Sequence, residues 1–192
     1  MEEKICSYDL IVLGGSFGAV EALLKIIPNL SPDFSIPIAI VVHRARSSHS
    51  LLSKVLQWHT KLIVREPEDN EKILPKHIYV ARPNYHLLIE QDKTFSNSYS
   101  EPVNYSRPSI DVLFDSAADV YREKLTGILL TGANADGASG MKHIKEKGGL
   151  TIVEDPTIAV SPVMPMAAIK ISKLDFVQSI TEIIKKLNSL NS

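Results

Sequence analysis

Uninterrupted apolar runs alternate with amphipathic stretches along most of the chain. Tyr8–Leu13 reads as a buried strand ending at Gly14-Gly15. In residues 16–27, Ala19, Ala22, Leu23, Ile26 and Ile27 fall on one helical face, and Pro28 stops the run. Ile36–Val42 is a continuous apolar run with no polar alternation, the pattern of a strand buried on both faces. Leu51, Leu52, Val55 and Leu56 mark a second helix, with Ser47, Ser48 or Ser50 available as its cap. Leu62–Arg65 reads as a short third strand.

The middle breaks the rhythm. His77–Ala81 and His86–Glu90 are short apolar runs joined by Arg82-Pro83-Asn84-Tyr85, whose turn chemistry predicts that they pair as an antiparallel hairpin. Residues 91–107 are polar and read as a long surface loop. Pro108 suits the first turn of a helix carrying Ile110, Leu113, Phe114, Ala117 and Tyr121. Then follow a strand at Leu125–Thr131, a turn at Gly132–Gly137, and a helix through Met141 and Ile144 that stops at Gly148-Gly149. Leu150–Val153 is another strand. A short proline-rich segment around Met164-Pro165-Met166 leads to a last helix with the stripe Phe176, Ile180, Ile183, Ile184, Leu187 and Leu190. Repeated strand–helix alternation predicts an α/β fold: a doubly wound, mostly parallel, Rossmann-like sheet flanked by helices, with one antiparallel β-hairpin.

Composition narrows the possibilities. A length of 192 residues suits one domain, and 44% apolar residues suffice for a core without staples. Lys plus Arg is 21 and Asp plus Glu is 22, so the chain lacks the basic footprint of a nucleic-acid or anionic-membrane binder. Cys6 is the sole cysteine, which excludes an intrachain disulfide and argues against a thiolate zinc site. No apolar run has the length of a membrane span, and the start Met-Glu-Glu-Lys does not read as a signal peptide. These features predict a cytoplasmic protein with no nucleic-acid partner and no membrane insertion.

In open α/β sheets the crevice lies at the C-terminal ends of the strands. Three such ends carry reactive residue types. Gly14-Gly15-Ser16-Phe17-Gly18 satisfies G-x-S-x-G, a sharp turn that projects a serine hydroxyl beside the N–H groups of a new helix. The competing reading is a glycine-rich turn capped by Ser16. The dinucleotide fingerprint fails, because Ser16 and Ala19 stand where its later glycines belong. His43 ends the second long strand, where an imidazole can act as base; alternatively it is a strand-end histidine with a structural hydrogen bond. No histidine pair has metal-ligand spacing, so no metal is predicted. Thr131-Gly132-Ala133-Asn134-Ala135-Asp136-Gly137 follows a third strand. Asp136 can orient an imidazole or simply cap the next helix. Together Ser16, His43 and Asp136 are the inventory of a triad. Their chain order differs from that of α/β hydrolases, chymotrypsin and subtilisin. There is no nucleotide-binding P-loop motif.

With these residues assembled, the chain resembles the protein-glutamate methylesterases of bacterial chemotaxis, the CheB catalytic domain. The resemblance runs from Tyr8 to about Lys170. It rests on Ile11-Val12-Leu13-Gly14-Gly15-Ser16, Val41-Val42-His43, and Leu74–Ala81 with Tyr85-His86-Leu87. Further blocks are Arg107–Phe114, Leu130–Gly140, Glu154-Asp155-Pro156 and Met164-Pro165. It implies Ser16 as nucleophile, His43 as base and Asp136 as the residue that orients His43. The backbone N–H of Ala133, with that of Phe17, would form the oxyanion hole, and Arg107 would help frame the substrate cleft. It implies no metal and no cofactor. The substrate would be methyl-accepting chemoreceptor proteins or a related signalling protein, demethylated at glutamate and in many members deamidated at glutamine.

The chain departs from the family pattern beside the proposed triad. Phe17 stands where members have a small or hydroxyl residue, Arg44 where they commonly have Met, and Ala133-Asn134 where they usually have Met-Gly. Asn at 134 is compatible with a left-handed backbone if the glycine served one. The first strand begins near residue 8, so residues 1–192 read as a single catalytic domain without the family's receiver domain. Two alternatives remain open at this level: a non-catalytic domain of the same fold that docks a signalling partner, and an esterase of unrelated small substrates.

Overall fold

The computed structural model describes residues 8–43 and 51–191. The apolar runs become strands of one parallel sheet. In chain order the elements are β1 (Leu10–Gly15), α1 (Ala19–Ile26), β2 (Ile38–Val42), α2 (Leu51–Gln57), β3 (Ile63–Arg65) and β4 (His77–Val80). They continue with β5 (His86–Ile89), β6 (Phe95–Ser98), α3 (Ile110–Tyr121), β7 (Leu125–Leu129) and α4 (Ala138–Glu146). The last are β8 (Leu150–Glu154), α5 (Val163–Ile171), β9 (Phe176–Gln178) and α6 (Ile180–Leu190). Seven strands lie in the order β3-β4-β2-β1-β7-β8-β9, all parallel.

Alternation along β1 builds two cores. Leu10 and Val12 face α3 and α4, while Ile11 and Leu13 face α1 and α6, and all four side chains are fully buried. Burial on both faces explains why β1 and β2 carry no polar side chain rather than alternating; β7 is buried along its whole length as well but carries the polar Thr126. From β1 the chain first builds outward through β2, then returns to β7 on the opposite side of β1. That reversal opens a crevice beyond the C-terminal ends of β1 and β7. Among the described residues no helix is long and apolar enough to cross a membrane.

Four local expectations need correction. His77–Ala81 and His86–Glu90 do not pair with each other. β4 enters the main sheet, with Ile78, Tyr79 and Val80 buried, and the hairpin is instead β5 with β6, inside the stretch read as loop. Its turn closes because Lys93 adopts φ 63 and Asp92 Oδ1 accepts from the Thr94 N–H and hydroxyl. Pro108 does not sit in the first turn of α3, because Ser109 takes the N-cap position after it. The segment around Met164-Pro165 is helical; Pro165 falls in the first turn of α5, where its missing N–H costs nothing. Phe176 lies on edge strand β9, not on the last helix. Ser179 and Glu182 form a reciprocal capping box that starts α6 after it. The proposed caps Ser47, Ser48 and Ser50 lie outside the described residues.

Candidate active site

Ser16 and His43 follow directly from adjacent parallel strands. Gly15 is in register with Val42, and the His43 N–H donates to the Gly15 carbonyl at 3.2 Å. On the other side of β1, the Ser16 N–H donates to the Thr131 carbonyl at 2.9 Å. The loop after β7 therefore leaves the sheet beside Ser16. α1 begins only at Ala19, after Gly18 at φ 85, so Ser16 precedes the helix. The Ser16 hydroxyl is not spent as a cap and has no hydrogen-bond partner among the described residues.

Asp136 lies 93 positions from His43 in the chain, yet its Oδ2 is 2.8 Å from His43 Nε2. It does not cap its own helix: Gly137 holds the N-cap position of α4 at φ 93. Its carboxylate turns to the N-terminus of α3. There the Ile110 N–H donates to Oδ2 at 2.7 Å and the Asp111 N–H to Oδ1 at 3.2 Å. The Ser109 hydroxyl adds a 2.8 Å bond and the Asn104 amide a 3.2 Å bond, both to Oδ1. Burial alone would raise the Asp136 carboxyl, but these bonds, with that from His43 the largest, hold it below the usual carboxylate range. A carboxylate that is ionised can only accept, so Nε2 of His43 carries the proton and Nδ1 presents its lone pair.

The neighbouring Asp111 behaves in the opposite way. It is buried, accepts from the Gly140 N–H at 2.7 Å and the Asn104 amide at 2.8 Å, and lies near Asp136. Burial, with the nearby carboxylates adding to it, pushes its pKa up to about 6 despite the Gly140 bond.

The loop after β7 is pinned from behind. Buried Glu154 accepts the Thr131 N–H at 2.7 Å, and the Thr131 hydroxyl accepts the Ser161 N–H at 2.7 Å. Its hydroxyl also lies 3.0 Å from the Phe17 carbonyl. Gly132 permits Met164 to pack against its backbone, where a Cβ would meet the thioether at 2.6 Å. Beyond this anchor, neither the Ala133 nor the Phe17 N–H has an acceptor among the described residues. Two backbone donors without an acceptor among the described residues, one following Ser16 in the chain and one in the loop that leaves the sheet beside it, are of the kind that stabilises an oxyanion.

Arg107 ties its own loop to the turn between β4 and β5. Its guanidinium donates to Asn84 Oδ1 at 2.9 and 3.2 Å and to the carbonyls of Tyr99 and Ser100, and it stacks over the Tyr99 ring at 3.9 Å. Asn134 does not use a left-handed backbone; that conformation falls to Gly137 in this loop. Arg44 lies outside the described residues. Ser109, Asn104 and Glu154 were not singled out as site residues from the sequence. Ser109 had a signal in Arg107-Pro108-Ser109 at a helix start, whereas Asn104 sits in a polar loop with no pattern to betray it.

Comparison with known proteins agrees with this geometry. The model of the CheB methylesterase family matches residues 11–187. A Leptospira interrogans protein called putative protein-glutamate methylesterase/protein-glutamine glutaminase is 49% identical over 177 residues, covering 92% of each chain. A Carboxydothermus hydrogenoformans protein-glutamate methylesterase/protein-glutamine glutaminase is 39% identical over 93% of this chain and 54% of its own length. The crystal structure of the Thermotoga maritima CheB methylesterase catalytic domain is similar with a TM-score of 0.90 at 34% identity, covering 96% of this chain and 99% of that one. The parallel sheet, the placement of the three strand ends and these matches lead to one conclusion: the chain belongs to the CheB methylesterase family.

Proposed function

We propose that the chain is a cytoplasmic serine hydrolase that removes methyl esters from glutamate side chains of methyl-accepting chemoreceptors or a related signalling protein, and deamidates glutamines at the same site. The observation that carries this reading is the 2.8 Å bond between His43 Nε2 and buried Asp136, formed at the strand end next to the one that carries Ser16, whose hydroxyl has no hydrogen-bond partner among the described residues.

In this scheme Ser16 Oγ attacks the side-chain carbonyl of the substrate while His43 Nδ1 takes the hydroxyl proton. Asp136 keeps Nε2–H in place and stabilises the imidazolium. The carbonyl oxygen, now an oxyanion, meets the N–H groups of Ala133 and Phe17. Collapse of the intermediate breaks the bond to the leaving group, and His43 returns the proton to form methanol, or ammonia from an amide. Water, deprotonated by the same imidazole, then cleaves the acyl-enzyme to release a glutamate carboxylate and Ser16. Side chains, backbone N–H groups and water suffice for each step. Arg107 contributes by holding the loop that borders the cleft.

The test is methanol release from methyl-labelled chemoreceptor by the chain and by Ser16→Ala. The reading expects release that falls to background in the variant. Equal release from both, with folding of both verified, would sink it.

A further inference from the structure

The lone pair that this scheme assigns to the base is already engaged. Asn134 Nδ2 lies 3.3 Å from His43 Nδ1, on the side of the ring opposite Asp136. The orientation of this amide is set by its other end, because Asn134 Oδ1 accepts the Asp136 N–H at 3.1 Å. Turning the amide over would put its NH2 against that N–H and its oxygen against the Nδ1 lone pair. Both contacts would repel, so the observed orientation is the stable one.

We propose that Asn134 is a positioning residue for His43: its side-chain amide donates to Nδ1 and keeps that nitrogen the unprotonated acceptor on which Ser16 depends. This rests on the roles given above to Ser16, His43 and Asp136. One loop thereby grips the imidazole at both nitrogens, with an acceptor at Nε2 from Asp136 and a donor at Nδ1 from Asn134. The opposite tautomer would oppose a ring N–H to the amide NH2 and a ring lone pair to the carboxylate.

The same polarity acts during turnover. The 3.3 Å bond is long for a nitrogen donor and is released at small cost when the Ser16 hydroxyl takes its place. Proton transfer breaks the Ser16 O–H bond and forms Nδ1–H. An amide whose NH2 faces that new N–H cannot accept from it, so the proton passes on to the leaving oxygen or nitrogen. A glycine at 134, the residue usual in the family, offers neither effect.

Three variants and two readouts test the assignment. Nitrogen-15 NMR of the histidine rings reports which His43 nitrogen is protonated and whether its lone pair is hydrogen-bonded. In the parent chain Nδ1 should read as a hydrogen-bonded imine nitrogen. In Asn134→Ala and Asn134→Gly it should move to the position of a free imine nitrogen, and kcat should fall roughly three- to tenfold with KM unchanged, the scale of one neutral hydrogen bond. Asn134→Asp puts an acceptor on Nδ1. Its Nδ1 should lose the imine signature, because the new acceptor holds a proton there, and kcat should fall by on the order of 100-fold. An Nδ1 signal unchanged between parent and Asn134→Gly would overturn the proposal. So would a kcat that rises in Asn134→Gly, since the amide would then be only a competitor of Ser16. If Ser16→Ala retains activity, the triad reading itself fails, while the NMR result still decides what Asn134 does to the ring.

Discussion

Ser109 and Asp136, 27 residues apart in the chain, are joined at 2.8 Å by a bond from the Ser109 hydroxyl to Asp136 Oδ1. Ser109 occupies the N-cap position of α3 but makes no capping bond with its side chain. Asp136 caps the helix in its stead, taking the N–H groups of Ile110 and Asp111. The residue that orients His43 is thus also the anion at a helix N-terminus, which couples the proposed catalytic geometry to the stability of α3. Removing the hydroxyl in Ser109→Ala should cost about 1.5–3 kcal/mol, as for a hydrogen bond to a charged group. The donors around Asp136 hold its carboxyl below the ordinary carboxylate range in the folded protein, so its contribution is present at neutral pH and is lost as pH falls through that lowered value. Urea midpoints of parent and Ser109→Ala should therefore differ at pH 7 and converge only in acid, once the pH has fallen below 3.8 and through the lowered folded-state value. A gap independent of pH would contradict the assignment.

Asp136→Asn tests the carboxylate more severely. All five of its contacts come from groups placed to donate: His43, Ser109, Asn104 and two backbone N–H groups. Whichever way an asparagine amide settles, its NH2 faces donors. The imidazole is also pushed toward the wrong tautomer. Activity should drop by on the order of 10⁴-fold, the scale known for the serine-protease template. Ester turnover measured alongside near-ultraviolet circular dichroism separates this loss from unfolding.

Gly14 shows how tightly the sheet is coupled to that helix. A Cβ there would press into Ile110 Cγ2 and stand 3.1 Å from Phe114 Cζ, both on α3 and both fully buried. Gly14→Ala should cost about 1–3 kcal/mol as overpacking. It should also lower activity more than the unfolded fraction accounts for, because Ile110 donates to Asp136. Gly148→Ala is the control: its φ is 85, but the nearest atom is 3.7 Å away. That variant should lose about 1–2 kcal/mol of stability and none of the activity of the folded protein.

The architecture was legible because its causes are local and repetitive. A run such as Ile38–Val42 is apolar at each position that packs between helices, which marks a parallel strand without any partner in view. Strand pairing was less legible. His77–Val80 and His86–Ile89 are each plausible hairpin arms, and only burial of β4 on both faces sends it into the main sheet. Phe176 continues the apolar period of α6 by coincidence, and the Ser179 cap, not the stripe, decides where the helix starts. At the site, Ser16, His43 and Asp136 stood out because strand ends with glycines are recognisable. Asn104 did not, and Asn134 stood out only as a departure from the family pattern and not as a partner of His43, because a hydrogen bond spanning 32 or 91 positions leaves no periodicity behind.

Arg107→Lys asks whether the cleft loop needs a guanidinium. Arg107 bridges Asn84 to the carbonyls of Tyr99 and Ser100 while lying flat on the Tyr99 ring. A lysine ammonium cannot hold that fork and stack at once. The variant should lose about 1 kcal/mol of stability. It should also raise KM for the receptor several-fold while leaving kcat near that of the parent. A kcat defect with unchanged KM would place Arg107 in the chemistry instead.

Asp111 supplies the pH dependence with the opposite sign. Its pKa is raised from 3.8 to about 6, chiefly by burial, so the folded protein binds a proton that the unfolded chain releases. Stability from this group is fully present below pH 3.8 and is lost as pH rises through about 6. The full loss approaches about 3 kcal/mol. Asp111→Asn keeps an oxygen for the Gly140 N–H but turns its NH2 toward Asn104, a penalty that does not vary with pH. Asp115, also raised by burial, titrates in both proteins and cancels in the comparison. Unfolding free energies measured from pH 4 to 8 should therefore show the parent losing ground to Asp111→Asn up to about pH 6.5 and holding a constant difference above it. Parallel curves across that range would mean that Asp111 is an ordinary ionised carboxylate, and that the pair Asp111–Asp136 shares its helix N-terminus as two charges rather than one.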